Sequence, residues 1–267
     1  MSVKEEFFTL ARAIKRALIV MLNGSTRFKL LACGNTYYVS YGTRHHRIDR
    51  DYELLQRLAQ NRKCIVDIEA NKGLTCLIMA NAMSVDGKIY AFEASEDACR
   101  VVKENLAYND LSQRVVLLNA LVTNRSGEVC DFYWAFDSGA ASMIEGFLGN
   151  NYAIKKPGIS LDSFCQENNV NPDFIKIDVE GAEAEVMAGM EKIMRTGRPL
   201  VEVHSWGDLT EEHNIAKILA VVDRAGYQLF NLRTRTRVSD PAVFTGWGAS
   251  MYFWYLRNKA FLNNLSI

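Results

Sequence analysis

Polar residues collect in this chain at the points where apolar runs stop. Asp67, Glu69, Asn71 and Gly73 follow the run that begins at Cys64, and Glu93 closes residues 88–92. Asn119 and Ala120 come at the end of a run from Val115. Asp178 and Glu180 follow residues 173–177, and Glu202 and His204 finish residues 200–204. These residue types suit ligand binding and proton transfer. An acid at the end of the second strand of a parallel sheet can accept both hydrogens of a ribose diol, which points to Glu93. A histidine ending a strand titrates near neutrality and suits a general base, so His204 is the first candidate and Asp178 the second. Asp178, Glu180, Glu202 and His204 also suggest a metal cluster. Asp178 and Glu180 belong to one tight loop, however, and no metal is expected.

The elements that must carry these residues follow from periodicity. Residues 64–67, 88–93, 115–121, 173–178 and 200–204 read as buried parallel strands. Residues 74–82, 95–108, 161–167, 182–194 and 215–226 read as the helices between them, with Ser95 as a cap and Gly226 as a stop. Residues 129–136 read as a further strand, 137–158 as a long loop, and 227–232 and 251–256 as the last strands. Alternation of this kind predicts an α/β fold with a doubly wound, mostly parallel sheet, whose ligands bind outside the carboxyl ends of the strands. Before residue 60 the pattern differs. Residues 3–22 form an amphipathic helix with Phe7, Ala11, Ile14, Leu18 and Leu22 on one stripe, 27–42 a hairpin turning at Gly34-Asn35, and 51–58 a helix. The apolar stripe admits packing on a second copy, giving a homodimer, or peripheral contact with a membrane.

Composition narrows the classes. The 267 residues hold 31 Lys plus Arg and 31 Asp plus Glu, so no net field steers the chain to nucleic acid. Arg44 to Arg47 and the trio Arg233, Arg235 and Arg237 read as solvated surface. The 6 cysteines are scattered, which fits a reducing compartment, and no run is long enough to span a bilayer. The cytoplasm is the expected location. The turn after the first strand lacks Gly-x-Gly-x-x-Gly, which disfavours a pyrophosphate and hence a nicotinamide-dependent oxidoreductase.

Val66 to Gly73, Phe92-Glu93, Ser160 to Asp162 and, most specifically, residues 173–183 with Ile175-Lys176-Ile177-Asp178-Val179-Glu180-Gly181-Ala182-Glu183 resemble the FkbM family of S-adenosylmethionine-dependent methyltransferases. The resemblance covers about residues 60–232. It implies a Rossmann-like sheet of the class I methyltransferase type with seven strands, the last antiparallel, over residues 61–267. Residues 1–60 are then a helix and hairpin extension. It further implies S-adenosylmethionine as cofactor and O-methylation of a hydroxyl on a sugar, glycoconjugate or natural product. Asp67, Glu69, Asn71 and Gly73 would then lie at the methionine end, Glu93 at the ribose, and Asn119 or Ala120 near the adenine. Asp178 and Glu180 would sit where donor and acceptor meet. Acceptor contacts are expected from 137–158, 205–210 and 233–248, where Tyr152, Trp206 and Trp247 could stack on a sugar ring. One departure stands out: this chain has Glu69 where the family pattern has glycine. A glutamate there adds bulk and charge beside the cofactor's carboxylate, so a non-catalytic binding protein with an altered cofactor loop is the alternative.

Overall fold

The computed structural model describes residues 3–134, 141–142, 152–205, 211–231, 236–239 and 251–255. In chain order the elements are α1 (Val3–Asn23), β1 (Arg27–Ala32), β2 (Asn35–Ser40), α2 (Arg50–Ala59), β3 (Cys64–Ile68), α3 (Leu74–Ala82), β4 (Lys88–Phe92) and α4 (Glu96–Tyr108). Then come β5 (Val115–Leu118), β6 (Leu121–Thr123), β7 (Val129–Trp134), β8 (Ala141–Ser142), β9 (Tyr152–Ser160), α5 (Leu161–Asn168) and β10 (Phe174–Ile177). The chain closes with α6 (Glu183–Ala188), α7 (Glu191–Thr196), β11 (Leu200–Ser205), α8 (Glu211–Arg224), β12 (Leu229–Asn231), β13 (Thr236–Val238) and β14 (Met251–Tyr255).

The central sheet runs β13-β12-β14-β11-β10-β3-β4-β5. Neighbours from β11 to β5 pair in parallel, and β14 lies antiparallel between β11 and β12. The last strand is antiparallel, as expected. The strand count differs: the ladder has eight strands among the described residues, because Thr236–Val238 folds back on β12 as an antiparallel edge. Loop reading missed this strand because three residues give too short a run for alternation to show.

The sheet has an apolar layer on each face, set by the period of two along each strand. Val66, Ile68, Ile175, Ile177, Val201 and Val203 pack with α5 to α8. Ile65, Ile89, Ala91, Phe174 and Leu200 pack with α2, α3, α4 and the β1–β2 hairpin. The expected extension therefore shares a core with the sheet. Asn105 of α4, fully buried, ties the two together: its Oδ1 accepts from Ser40 N, and its Nδ2 donates to Thr43 Oγ1 and to Lys72 O. On α1, Ile14, Leu18 and Leu22 are 52%, 51% and 79% exposed, so this part of the stripe is not buried against the described residues.

Three further expectations change. The third strand stops at Leu118, and Leu121–Thr123 leaves it to join a second sheet of order β6-β9-β7-β8. The expected loop 137–158 instead contains β8 and most of β9, which pairs with β7 from Trp134 opposite Tyr152 to Val129 opposite Pro157. Pro157 lies within β9, opposite Val129 near the end of the β7 pairing. The expected helix 182–194 is two helices broken at Gly189-Met190. A Cβ on Gly189 would come 2.2 Å from Thr123 O, so β6 passes against the break and only glycine fits there.

Candidate active site

The register places the polar strand ends in two rows on the face that carries α2 and α3. Lys176 pairs with Asp67 on one side and Glu202 on the other, so the three form a row across β3, β10 and β11. All three are buried. Two residues further along each strand lies the crest. Glu93 follows Phe92 and Glu69 follows Ile68, and those two are paired; Asp178 follows Ile177 and His204 follows Val203, again a pair. Glu93, Glu69, Asp178 and His204 thus stand side by side at the carboxyl edge, where open parallel sheets bind ligands.

Lys176 holds the lower row to the upper one. Its Nζ lies 3.3 Å from Asp67 Oδ1 and 3.3 Å from Asp178 Oδ2, and it donates to Glu69 O at 3.3 Å. Burial alone would neutralise this ammonium, but Asp67, Asp178 and Glu202 raise its pKa above the ordinary lysine value. Asp67 also accepts from Thr75 Oγ1 at 2.6 Å and from Cys76 Sγ. It is fully buried and engaged below the crest, so it acts on the site through Lys176 and the start of α3.

His204 Nδ1 faces Asp178 Oδ1 at 3.5 Å. Burial favours the neutral ring, but Asp178 and then Glu202 overcome it and push His204 up to about 9. Burial likewise opposes the Asp178 charge, yet Lys176 and His204 hold its carboxyl well below the usual range. Asp178 is therefore a poor base and a strong partner for the imidazolium. Glu202 is pushed up to about 8 by burial, and its Oε2 has no hydrogen-bond partner. Glu180 sits in the left-handed region at φ 49° and is pushed up to about 7 by burial and by Asp178.

On the other half of the crest, Glu93 is buried at the end of β4. Its Oε2 accepts from Asn71 N and its Oε1 from Ser95 N, both at 2.7 Å, which fixes the carboxylate on the loop after β3. Burial pushes it up to about 7 against those two bonds. Glu69 has φ 64°, the backbone region that glycine prefers, and it follows Ile68 as Glu93 follows Phe92, so the two carboxyls act on each other. Burial and the nearby Glu93, Asp178 and Glu180 raise Glu69 well above the ordinary range, with Lys176 pulling the other way.

Asn71 Oδ1 is a buried acceptor with no hydrogen-bond partner. Gly73, at φ 78°, caps α3 and lies against Val102 of α4, so its freedom serves the turn and the packing. Asn119 Nδ2 donates to Glu93 O and Ala94 O, and its Oδ1 accepts from Lys156 Nζ at 3.0 Å. Ala120 packs on the core beside it. Tyr152 pairs through its backbone with Trp134, and its side chain is not among those described. Trp206 and Trp247 lie outside the described residues. Among the described residues no cluster of His, Cys, Asp or Glu could hold a metal ion, the six cysteines are free thiols, and no helix is long and apolar enough to cross a membrane.

Two residues escaped sequence reading. Tyr52 of α2 feels the charges of Lys176, Asp178 and Asp67, and its hydroxyl lies 2.5 Å from His46 Nε2. Both come from the first sixty residues. Residues 51–58 read only as a helix, and nothing in the local sequence says which sheet face α2 covers.

The Methyltransferase FkbM domain matches residues 67–229, which span the β3 loop, both rows and the sheet as far as β12. This chain belongs to the FkbM methyltransferase family. It is a methyltransferase whose methyl donor is S-adenosylmethionine. Similar solved structures include an FkbM methyltransferase from Methylobacillus flagellatus KT, 15% identical over 74% of this chain at TM-score 0.46. This chain spans 44% of that protein's length. Others are an O-methyltransferase from Bacillus cereus in complex with SAH, 16% identical over 80% of this chain and 84% of its own at TM-score 0.47, and a precorrin-6y C5,15-methyltransferase from Geobacter metallireducens GS-15, 12% identical over 79% and 89% at TM-score 0.45. No curated protein matches the sequence.

The residues present fit this donor. Glu93 is a fixed acceptor at the carboxyl end of β4, of the kind a ribose diol would need, and Asn71 Oδ1 is an orphaned buried acceptor on the neighbouring β3 loop. The crest also carries more carboxyls than cations, as suits a ligand of net positive charge.

Proposed function

We propose that this methyltransferase is an O-methyltransferase acting on a hydroxyl of a sugar, glycoconjugate or natural product. The observation that carries the reading is the His204–Asp178 pair, set on the same crest as Glu93 at the carboxyl ends of neighbouring strands. A sulfonium supplies an activated methyl group, so the protein's work is alignment, exclusion of water and handling of one proton. Glu93 holds the ribose, and Asn71 lies toward the methionine end. Asp178 fixes the His204 ring through Nδ1, which makes Nε2 the nitrogen that takes the acceptor's hydroxyl proton. Its pKa near 9 makes it a strong base that rests protonated. A cation bound alongside lowers that value and frees the ring as the complex forms. Glu180 and Tyr52 border the acceptor side, and Tyr152 and Trp206 are the proposed sugar-stacking groups.

The test is methyl transfer from labelled S-adenosylmethionine to a panel of glycosides and phenols. His204→Ala is expected to lower transfer by about 10²–10⁴-fold, the usual worth of a positioned base. Full activity in that variant removes His204 from the role. The Glu69–Glu93 contact favours a second reading, a binding protein that keeps the fold without turnover. Cofactor binding in calorimetry without transfer to any acceptor would support it.

A further inference from the structure

Glu69 is the residue on the crest that the reaction so far leaves without a task. It is held at φ 64° with its backbone oxygen accepting from Lys176 Nζ, so the turn cannot easily swing it away. One position past the Ile68–Phe92 pair, it is side by side with Glu93. The groups that face it are Glu93 from β4, and Lys176, Asp178 and Glu180 from β10 and its loop. Lys156 from β9 adds a cation on the Glu93 side. Glu69 therefore lies between the proposed ribose anchor and the Asp178–Glu180 loop. The donor's sulfur is joined to the ribose through one carbon, so a sugar held by Glu93 brings that sulfur next to Glu69.

Building on the proposed cofactor site, we propose that Glu69 is its charge-selecting residue: its carboxylate favours the cationic methyl donor over the neutral thioether that remains after transfer. In the free protein the two carboxyls stand one position past the Ile68–Phe92 pair, and burial favours the protonated form of each. S-adenosylmethionine carries a sulfonium, an ammonium and a carboxylate, a net charge of +1. Its entry displaces a proton from this pair to solvent, so the site gains a cation and loses one. The product lacks the sulfonium charge and releases less of that proton. Until a proton returns to the pair, the product shares the pocket with an uncompensated carboxylate, which speeds its departure. Raising pH through the neutral range, where burial has placed Glu93, widens the preference.

Calorimetry on the full chain tests this with S-adenosylmethionine, S-adenosylhomocysteine and an amine analogue bearing a protonated nitrogen in place of the sulfonium. Each is titrated at pH 7 in phosphate and in Tris, whose different ionisation heats count the protons released. Wild type is expected to prefer both cationic ligands and to release close to one proton more with them than with the homocysteine. Glu69→Gln and Glu69→Gly, checked for folding by circular dichroism, are expected to lose about tenfold of that preference and most of the proton release, the scale of one nearby charge in a partly screened pocket. Unchanged ratios in both variants would overturn the charge-selecting role while leaving the cofactor site intact. Tight binding only after Glu69→Gly, with none in wild type, would also overturn it, making Glu69 a plug. Absence of all three ligands from every folded variant would remove the cofactor site itself.

Discussion

Replacing Asp178 with Asn tests the electrostatics of the crest without an acceptor in hand. The side chain keeps its shape but loses the charge that faces His204 at 3.5 Å. In the wild type, His204 sits near 9 instead of 6.5. Each pKa unit is worth about 1.4 kcal/mol, so the pull of Asp178 and Glu202, net of burial, is on the order of 3 kcal/mol. The two side chains are 19% and 26% exposed, so solvent screens this pull only in part. At pH 7 roughly one ring in a hundred is then neutral. Without Asp178, burial and Lys176 work against Glu202 alone, and His204 is expected to fall to its ordinary range or below it. Nitrogen-15 titration of the four histidines reads this directly, with His204→Asn assigning the signal. Stability follows with a definite sign. A raised histidine stabilises the fold fully below pH 6.5 and stops doing so as pH rises through 9. The depressed Asp178 stabilises above its ordinary value near 3.8 and stops as pH falls below that. Wild type should therefore lose Tm between pH 7 and 9 relative to Asp178→Asn. A His204 midpoint above 8 in the variant, or near 6.5 in wild type, refutes the pairing.

Three further outcomes are expected. Lys176→Met leaves Asp67 and Asp178 buried without their shared cation and should cost about 3–5 kcal/mol in urea unfolding; a loss below 1 kcal/mol would show that the lower row is not held by charge. Glu202 is raised from 4.5 to about 8, so its stabilisation is complete below 4.5 and lost as pH climbs through 8; Glu202→Gln should flatten the decline in stability between pH 5 and 9, and an unchanged slope would place that decline elsewhere. Gly189→Ala puts a methyl group 2.2 Å from Thr123 O and should cost about 1–3 kcal/mol in thermal or urea melts, whereas a neutral result would mean that β6 can move off the helix break.

The parallel core was legible because its strands are short, mostly apolar runs, and the strand ends carried their polar residues with them. Glu93, Glu69, Asp178 and His204 could all be named from the sequence for that reason. Their lateral order could not. It depends on which strand neighbours which, and the pairing of Lys176 with both Asp67 and Glu202 is visible only in the ladder. The second sheet was missed because β6 is three residues long and β9 contains a proline, so neither alternates clearly. The break at Gly189 was missed because Val186, Met190 and Ile193 keep helical spacing across it. Tyr52 was missed because Lys176 and Asp178, two of the charges that act on it, come from β10 and its loop, more than a hundred residues away.

The two rows explain why a glutamate can stand where the turn favours glycine. Strand periodicity puts Ile65, Asp67 and Glu69 on one face, as it does Phe174, Lys176 and Asp178, and Leu200, Glu202 and His204. Each of these strands therefore passes from apolar to charged along a single face, and the boundary falls at the same depth in all three. Lys176 occupies the centre of the lower row and reaches both Asp67 beside it and the Asp178 carboxyl and Glu69 carbonyl above it. One buried cation thus supports three polar groups, and the crest above it retains an excess of carboxyls. An anionic ligand would add to that imbalance, and a neutral one would leave it as it is. A cation relieves it, so the lower row, which touches no ligand, determines the sign of charge that the upper row binds best.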